Sequence, residues 1–116
     1  MTVKLGNVIK ELQKIVGKEA VLTSREDIIS FSYDASPLER HLPEAIVMPV
    51  STEQVQALVR LAKREKVKLI PRGAGTGLSG GSVATEGGVV VSLTRMNRIL
   101  EIDNVNLTAT VEPGVV

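Results

Sequence analysis

The chain has no cysteine and no tryptophan, and only one tyrosine and one phenylalanine among its 116 residues. Without cysteine there are no disulfides, no thiolate metal ligands and no thiol nucleophile, and the redox compartment stays open. Two aromatics, Phe31 and Tyr33, are too few for a base-stacking platform or an aromatic cage; Phe31 is expected in the core. An excess of one charge sign is also missing: 14 basic residues against 13 acidic leave a net charge of +1. The basic residues are dispersed, so no electrostatic footprint for nucleic acid is present. Long apolar runs are absent as well. Met1-Thr2-Val3-Lys4-Leu5 lacks a signal-peptide core, and no stretch approaches the roughly 18 apolar residues of a membrane span. The expectation is a soluble, cytoplasmic protein, peripheral to a membrane only through a partner.

Histidine is nearly missing too. His41, the sole one, lies between Arg40 and Leu42 without a companion ligand and reads as a surface residue. Asp34 and Glu39 nearby have nothing to fix their geometry as an acid and base pair, and solvated loop carboxylates are the ordinary case. No metal site is expected, and no catalytic residue can be named.

What the chain does have is 43% hydrophobic content, enough for one modest core. Leu5, Val8, Ile9, Leu12, Ile15 and Val16 predict an amphipathic helix ending at Gly17. Ser24 with Asp27 predicts a capped second helix to about Ser32. Residues 33–44, with Pro37 and Pro43, read as irregular. Ala45 to Met48 is a short strand stopped by Pro49. Ser51 with Gln54 is a capping box for a helix through about Glu65, and Lys63-Arg64-Glu65-Lys66 is its solvated end. Val67 to Ile70 resumes as strand. Strand, helix and strand make a parallel βαβ unit. Val89 to Leu93 is a further strand, and Ile99 to Asp103 with Leu107 to Val111 form a hairpin around Asn104-Val105-Asn106.

The most informative stretch is Pro71-Arg72-Gly73-Ala74-Gly75-Thr76-Gly77-Leu78-Ser79-Gly80-Gly81, which places five of the ten glycines in one short window after a strand. Dense glycine lets several backbone N–H groups approach one anion, and Arg72 adds positive charge at the mouth of the loop. The position at the carboxyl end of a parallel strand is where ligands of α/β sheets bind.

Gly75 to Gly80 satisfies the dinucleotide expression G-x-G-x-x-G, but that mechanism needs a helix opening at the glycines, and Gly81, Gly87 and Gly88 oppose one. Glu101 is then a decoy for the ribose-binding acid. A Walker-type loop fails because no Lys-Ser or Lys-Thr pair follows. A plain turn-rich surface loop would need fewer glycines and no arginine. Ser79 and Ser82 have no histidine base and read as phosphate hydrogen-bonding groups rather than nucleophiles.

Five segments carry a family resemblance in order: Tyr33-Asp34-Ala35-Ser36, Pro49 to Val55, Pro71 to Ser82, Met96-Asn97-Arg98-Ile99, and Val111-Glu112-Pro113-Gly114-Val115. The chain resembles the FAD-binding domain of the vanillyl-alcohol oxidase and p-cresol methylhydroxylase group. Within that group it resembles the 2-hydroxyacid branch, of the glycolate oxidase and D-lactate dehydrogenase type. The resemblance implies an α+β fold, the N-terminal part of such a domain: residues 1–44 as a helical lead-in and irregular segment, and residues 45–116 as βαβ core, glycine loop and β-rich part, in a truncated chain.

It also implies a site. Arg72, Gly73, Ala74, Gly75, Thr76, Gly77, Leu78, Ser79, Gly80, Gly81 and Ser82 would wrap the FAD pyrophosphate. Pro49 would border the adenine, Met96 and Asn97 would form a turn toward the flavin ring, and Pro113 with Gly114 would begin a second loop over the cofactor. Relatives that bond FAD covalently often carry histidine where this chain has Thr76, so the resemblance implies a non-covalent flavin. The implied reaction is oxidation of a small 2-hydroxy acid, with room for an iron–sulfur or other electron-transfer subunit as partner. The substrate side would lie mostly outside these residues, and the 116 residues alone are expected to bind FAD weakly and turn over nothing. The alternative is a stand-alone nucleotide- or anion-binding module without catalysis.

Overall fold

A computed structural model describes residues 2–33, 41–77, 81–83 and 87–116. Asp34, Glu39, Leu78, Ser79 and Gly80 of the sequence reading lie outside these.

Helix α1 spans Thr2–Val16 and ends where the sequence predicts. Gly17 takes φ 93°, and its N–H donates to the Gln13 carbonyl at 2.9 Å, an end that glycine makes without a Cβ penalty. Helix α2 is short, Arg25–Ser30, and Ser24 Oγ accepts from the Asp27 N–H. Helix α3 covers Thr52–Glu65. Ser51 Oγ accepts from the Gln54 N–H at 3.2 Å, and Gln54 Oε1 accepts from the Val50 N–H at 2.8 Å. This is a reciprocal capping pair reaching one residue further out than the usual box.

Four strands form the main sheet: β1 (Val21–Leu22), β2 (Ala45–Val47), β3 (Leu69–Arg72) and β4 (Val89–Ser92). Their order is β1-β2-β4-β3, with β1 antiparallel to β2 and both β2 and β3 parallel to β4. The parallel sense of the βαβ unit holds, but β4 inserts between its two strands. Composition explains the placement. Val89, Val90 and Val91 are at most 5% exposed, and a strand apolar on both faces belongs in the sheet interior. Strand β3 carries Pro71, which cannot donate to a second neighbour and so suits an edge. Strand β1 has too few residues to leave a periodic signal in the sequence.

Alternation along the strands divides the core in two. Ala45, Val47, Val89 and Val91 face α1 and α3 through Val8, Leu12, Leu58 and Leu61. Ile46 and Val90 face the other way, under Ile28, Phe31, Met48 and Ile70. The sheet is therefore sandwiched, with α1 and α3 on one side and the α2 segment on the other. After β4 the chain leaves as the hairpin of β5 (Ile99–Asp103) and β6 (Thr108–Val111). Its turn is organised by Asp103, whose carboxylate accepts from the Val105 N–H at 2.9 Å, the Asn106 N–H at 3.0 Å and Asn106 Nδ2 at 2.8 Å.

Candidate functional site

Because β2, β3 and β4 run parallel and in register, their carboxyl ends lie at one end of the sheet. Pro49 follows β2, Gly73 follows β3, and Met96 and Asn97 follow β4. Gly114 joins them from the far end of the hairpin, its N–H donating to the Met96 carbonyl at 2.8 Å. The fold thus gathers the four groups of sequence-predicted residues, widely separated along the chain, at one sheet end. Their exposure differs. Ala74, Thr76, Gly77, Gly81 and Asn97 are open to solvent, whereas Pro49 and Met96 are buried.

The glycine loop connects β3 to its parallel neighbour β4, and none of its described residues is helical. A helix opening at the glycines, which a dinucleotide turn requires, is thus not seen among residues 73–77 and 81–83. Gly75 takes φ 74°, a conformation that strains any residue with a side chain. Gly73 and Gly81 differ: a Cβ built on either meets no atom of the described residues within 4 Å. None of those residues keeps a side chain out at these two positions. A ligand that closes on the backbone would.

Ser82 supplies a second observation. Its Oγ is buried and has no hydrogen-bond partner among the described residues, an arrangement that costs about 1–3 kcal/mol unless something completes it. A phosphate oxygen at the loop would be such a partner. The residues present therefore fit a pyrophosphate-bearing cofactor: glycine backbone with open space at residues 73 and 81, and an unsatisfied hydroxyl at Ser82 of the same loop.

Arg72 does not stand at the mouth of the loop. It is the last residue of β3 and is 7% exposed. Strand alternation puts it on the same sheet face as Ile70, where Phe31 lies. Its guanidinium carbon sits 5.3 Å from the Phe31 ring centroid, and Nη1 donates to the Tyr33 carbonyl at 2.7 Å. The guanidinium also fills the space beneath Gly75, where an added Cβ would be 2.6 Å from Cζ. Sequence reasoning misses Phe31 and Tyr33 as site-related because their role depends on an arginine far along the chain.

The second loop is held just as closely. A Cβ on Gly114 would collide with the Leu93 carbonyl oxygen and come within 2.8 Å of the Met96 oxygen. Glu112 accepts from the Arg98 backbone N–H at 2.9 Å and from its guanidinium at 2.7 and 3.0 Å. These contacts hold the Glu112 carboxyl below its ordinary range and raise the Arg98 guanidinium, in each case chiefly through the side-chain hydrogen bonds between them. His41 donates its backbone N–H to the Ser32 carbonyl at 2.9 Å. Among the described residues no cluster of His, Asp or Glu could hold a metal ion, and no helix is long and apolar enough to cross a membrane.

A family model described as an FAD binding domain matches residues 43–116, from the lead into β2 to the last residue. The chain belongs to this family. FAD is therefore its cofactor, and the loop geometry above fits that cofactor's pyrophosphate. The glycolate oxidase subunit GlcD of Bacillus subtilis is 40% identical over 110 residues, covering 95% of this chain and 23% of that protein. A D-2-hydroxyglutarate dehydrogenase of Stutzerimonas stutzeri is 45% identical over 109 residues, covering 94% and 24%. Among solved structures, p-cresol methylhydroxylase with substrate bound superposes with a TM-score of 0.87 at 26% identity, covering 99% of this chain and 23% of that one. The α+β architecture is that of the p-cresol methylhydroxylase type. The chain spans about a quarter of the length of these relatives.

Proposed function

We propose that these residues form the pyrophosphate-cradling part of the FAD site in an oxidoreductase that oxidises a small 2-hydroxy acid of the glycolate or D-lactate type. The observation that carries the reading is the pairing of open glycines at 73 and 81 with the buried hydroxyl of Ser82, which no described residue satisfies, in the loop that leaves the carboxyl end of parallel strand β3. Gly73 to Gly77 with Gly81 would offer backbone N–H groups to the phosphates, and Ser82 Oγ a hydroxyl. Arg72 would back the loop, Pro49 would shape the wall beside the adenine, and Met96, Asn97, Pro113 and Gly114 would form the second edge. Thr76, exposed in the loop, offers a hydroxyl rather than an imidazole, which supports a non-covalent flavin. When bound, FAD supplies a two-electron acceptor; the chain's own residues bind and orient it.

The relatives named above suggest the substrate class, and the subunit named in one of them suggests an electron-transfer partner. A cytoplasmic location belongs to the same reading, as does the division of the chain at residue 44 into lead-in and FAD-binding portion. The test is the visible spectrum of the protein that carries this segment, followed by anaerobic addition of glycolate, D-lactate and D-2-hydroxyglutarate. A yellow protein bleached by one of them supports the proposal. A colourless protein that binds ATP or a phosphometabolite by calorimetry would replace it with a nucleotide- or anion-binding module.

A further inference from the structure

We propose that Arg72 is a positioning residue that holds the glycine loop from beneath, pinning the turn at Gly75 to residues 31–33, and that the anion is held by backbone amides and Ser82 instead. This refines the FAD reading and rests on it for the identity of the anion. Three contacts point the same way. The guanidinium lies against the Phe31 ring, donates to the Tyr33 carbonyl, and occupies the volume under Gly75. A side chain only 7% exposed, used in this way, ties the α2 segment to the carboxyl end of β3. Gly75 completes the arrangement: its positive φ turns the backbone over the guanidinium, and its missing Cβ is what makes room for it.

A residue that contacts the phosphate contributes when the cofactor is bound, whereas one that positions the loop contributes before. The experiment therefore compares Arg72→Lys and Arg72→Gln with wild type in the full-length protein. Phe31→Leu serves as a third variant that loosens the seat of the guanidinium and leaves every charge in place. Amide hydrogen exchange over residues 73–77 and at Ser32 and Tyr33 is measured without flavin, and FAD affinity is measured across a salt series.

The expected result is faster exchange in all three flavin-free variants. FAD affinity should fall about tenfold or more, and its salt dependence should match wild type, because the charge removed does not face the ligand. Exchange unchanged in the flavin-free variants, with an affinity loss for Arg72→Gln that is confined to low salt and spared by Arg72→Lys, would overturn the proposal in favour of direct phosphate contact. Should the wild-type protein bind no FAD, the functional reading fails, and the exchange comparison still decides whether Arg72 positions the loop.

Discussion

Arg98 and Glu112 close the base of the β5–β6 hairpin with one side chain in the open and the other covered: the guanidinium side is 74% exposed and the carboxylate side 10%. The main chains of the two residues are also joined, Glu112 N–H donating to the Arg98 carbonyl at 2.9 Å. Glu112 thus does more than an ordinary surface ion pair, because one of its oxygens accepts a backbone N–H that would otherwise lose its partner. The residues it spaces are Pro113 and Gly114 on one side and Met96 and Asn97 on the other.

Replacing Glu112 by Gln should therefore destabilise the protein in a pH-dependent way. Arg98 holds the folded carboxyl below the ordinary glutamate value of 4.5, so the pair's contribution is fully present above that value and is lost as pH falls through the folded one. Denaturant midpoints should separate wild type from Glu112→Gln near neutrality, and the gap should close in acid. Asp103, also depressed by its turn hydrogen bonds, is common to both proteins and cancels in the difference. A gap that stays constant down to about pH 3, below the usual carboxylate range, would show that the carboxylate charge plays no part.

Gly73 and Gly75 lie two residues apart in the loop and should respond differently to alanine. At Gly75 the new Cβ meets the Arg72 guanidinium, and φ is 74°, so Gly75→Ala should cost about 1–3 kcal/mol even without flavin. At Gly73 no atom of the described residues is in the way, and Gly73→Ala should leave flavin-free stability within about 0.5 kcal/mol of wild type. Both should weaken FAD binding in the full-length protein, Gly73→Ala by blocking backbone approach alone. Denaturation of the flavin-free protein beside an FAD titration separates the two effects, and undiminished affinity in Gly73→Ala would remove that residue from the cradle.

Gly114→Ala tests the second loop. Its Cβ would land on the Leu93 carbonyl oxygen and close to that of Met96. Backbone atoms cannot swing aside as a side chain can, so a loss of about 1–3 kcal/mol is expected. The Gly114 N–H to Met96 carbonyl bond should break with it, visible as faster amide exchange at Gly114.

Much of this arrangement is legible in the sequence. Strong periodicity marks α1 and α3, Ser51 with Gln54 announces the cap of α3, and the valine run at 89–91 announces a strand. The insertion of β4 between β2 and β3 is not legible, since strand order depends on which strand can be buried on both faces, and that is decided only when all of them pack. Arg72 shows the same limit at the site. Its place beside five glycines suggests a charge offered to an anion, but strand alternation turns it inward, onto an aromatic ring that precedes it by 41 residues. Local pattern identifies the loop; the side a residue faces is set by the strand it ends.

The hairpin carries the last prediction. Glu101 pairs with Thr110 and Asp103 with Thr108, while Ile99 pairs with Val111 and Ile102 with Ala109 across a register shift between Ile99 and Glu101, so the apolar pairs Ile99 with Val111 and Ile102 with Ala109 share one face. Ile99 is 58% exposed and Ile102 is 65% exposed. An apolar strand face left open to water favours self-association. Ile102→Thr retains the β-branched shape suited to a strand and gives up little buried contact. In the 116-residue chain it should change stability, read from the denaturant midpoint, by no more than about 0.5 kcal/mol and reduce the concentration-dependent association seen by sedimentation velocity. A large loss of stability instead would mean that Ile102 is packed against the body of the fold, and that the hairpin does not stand apart from it.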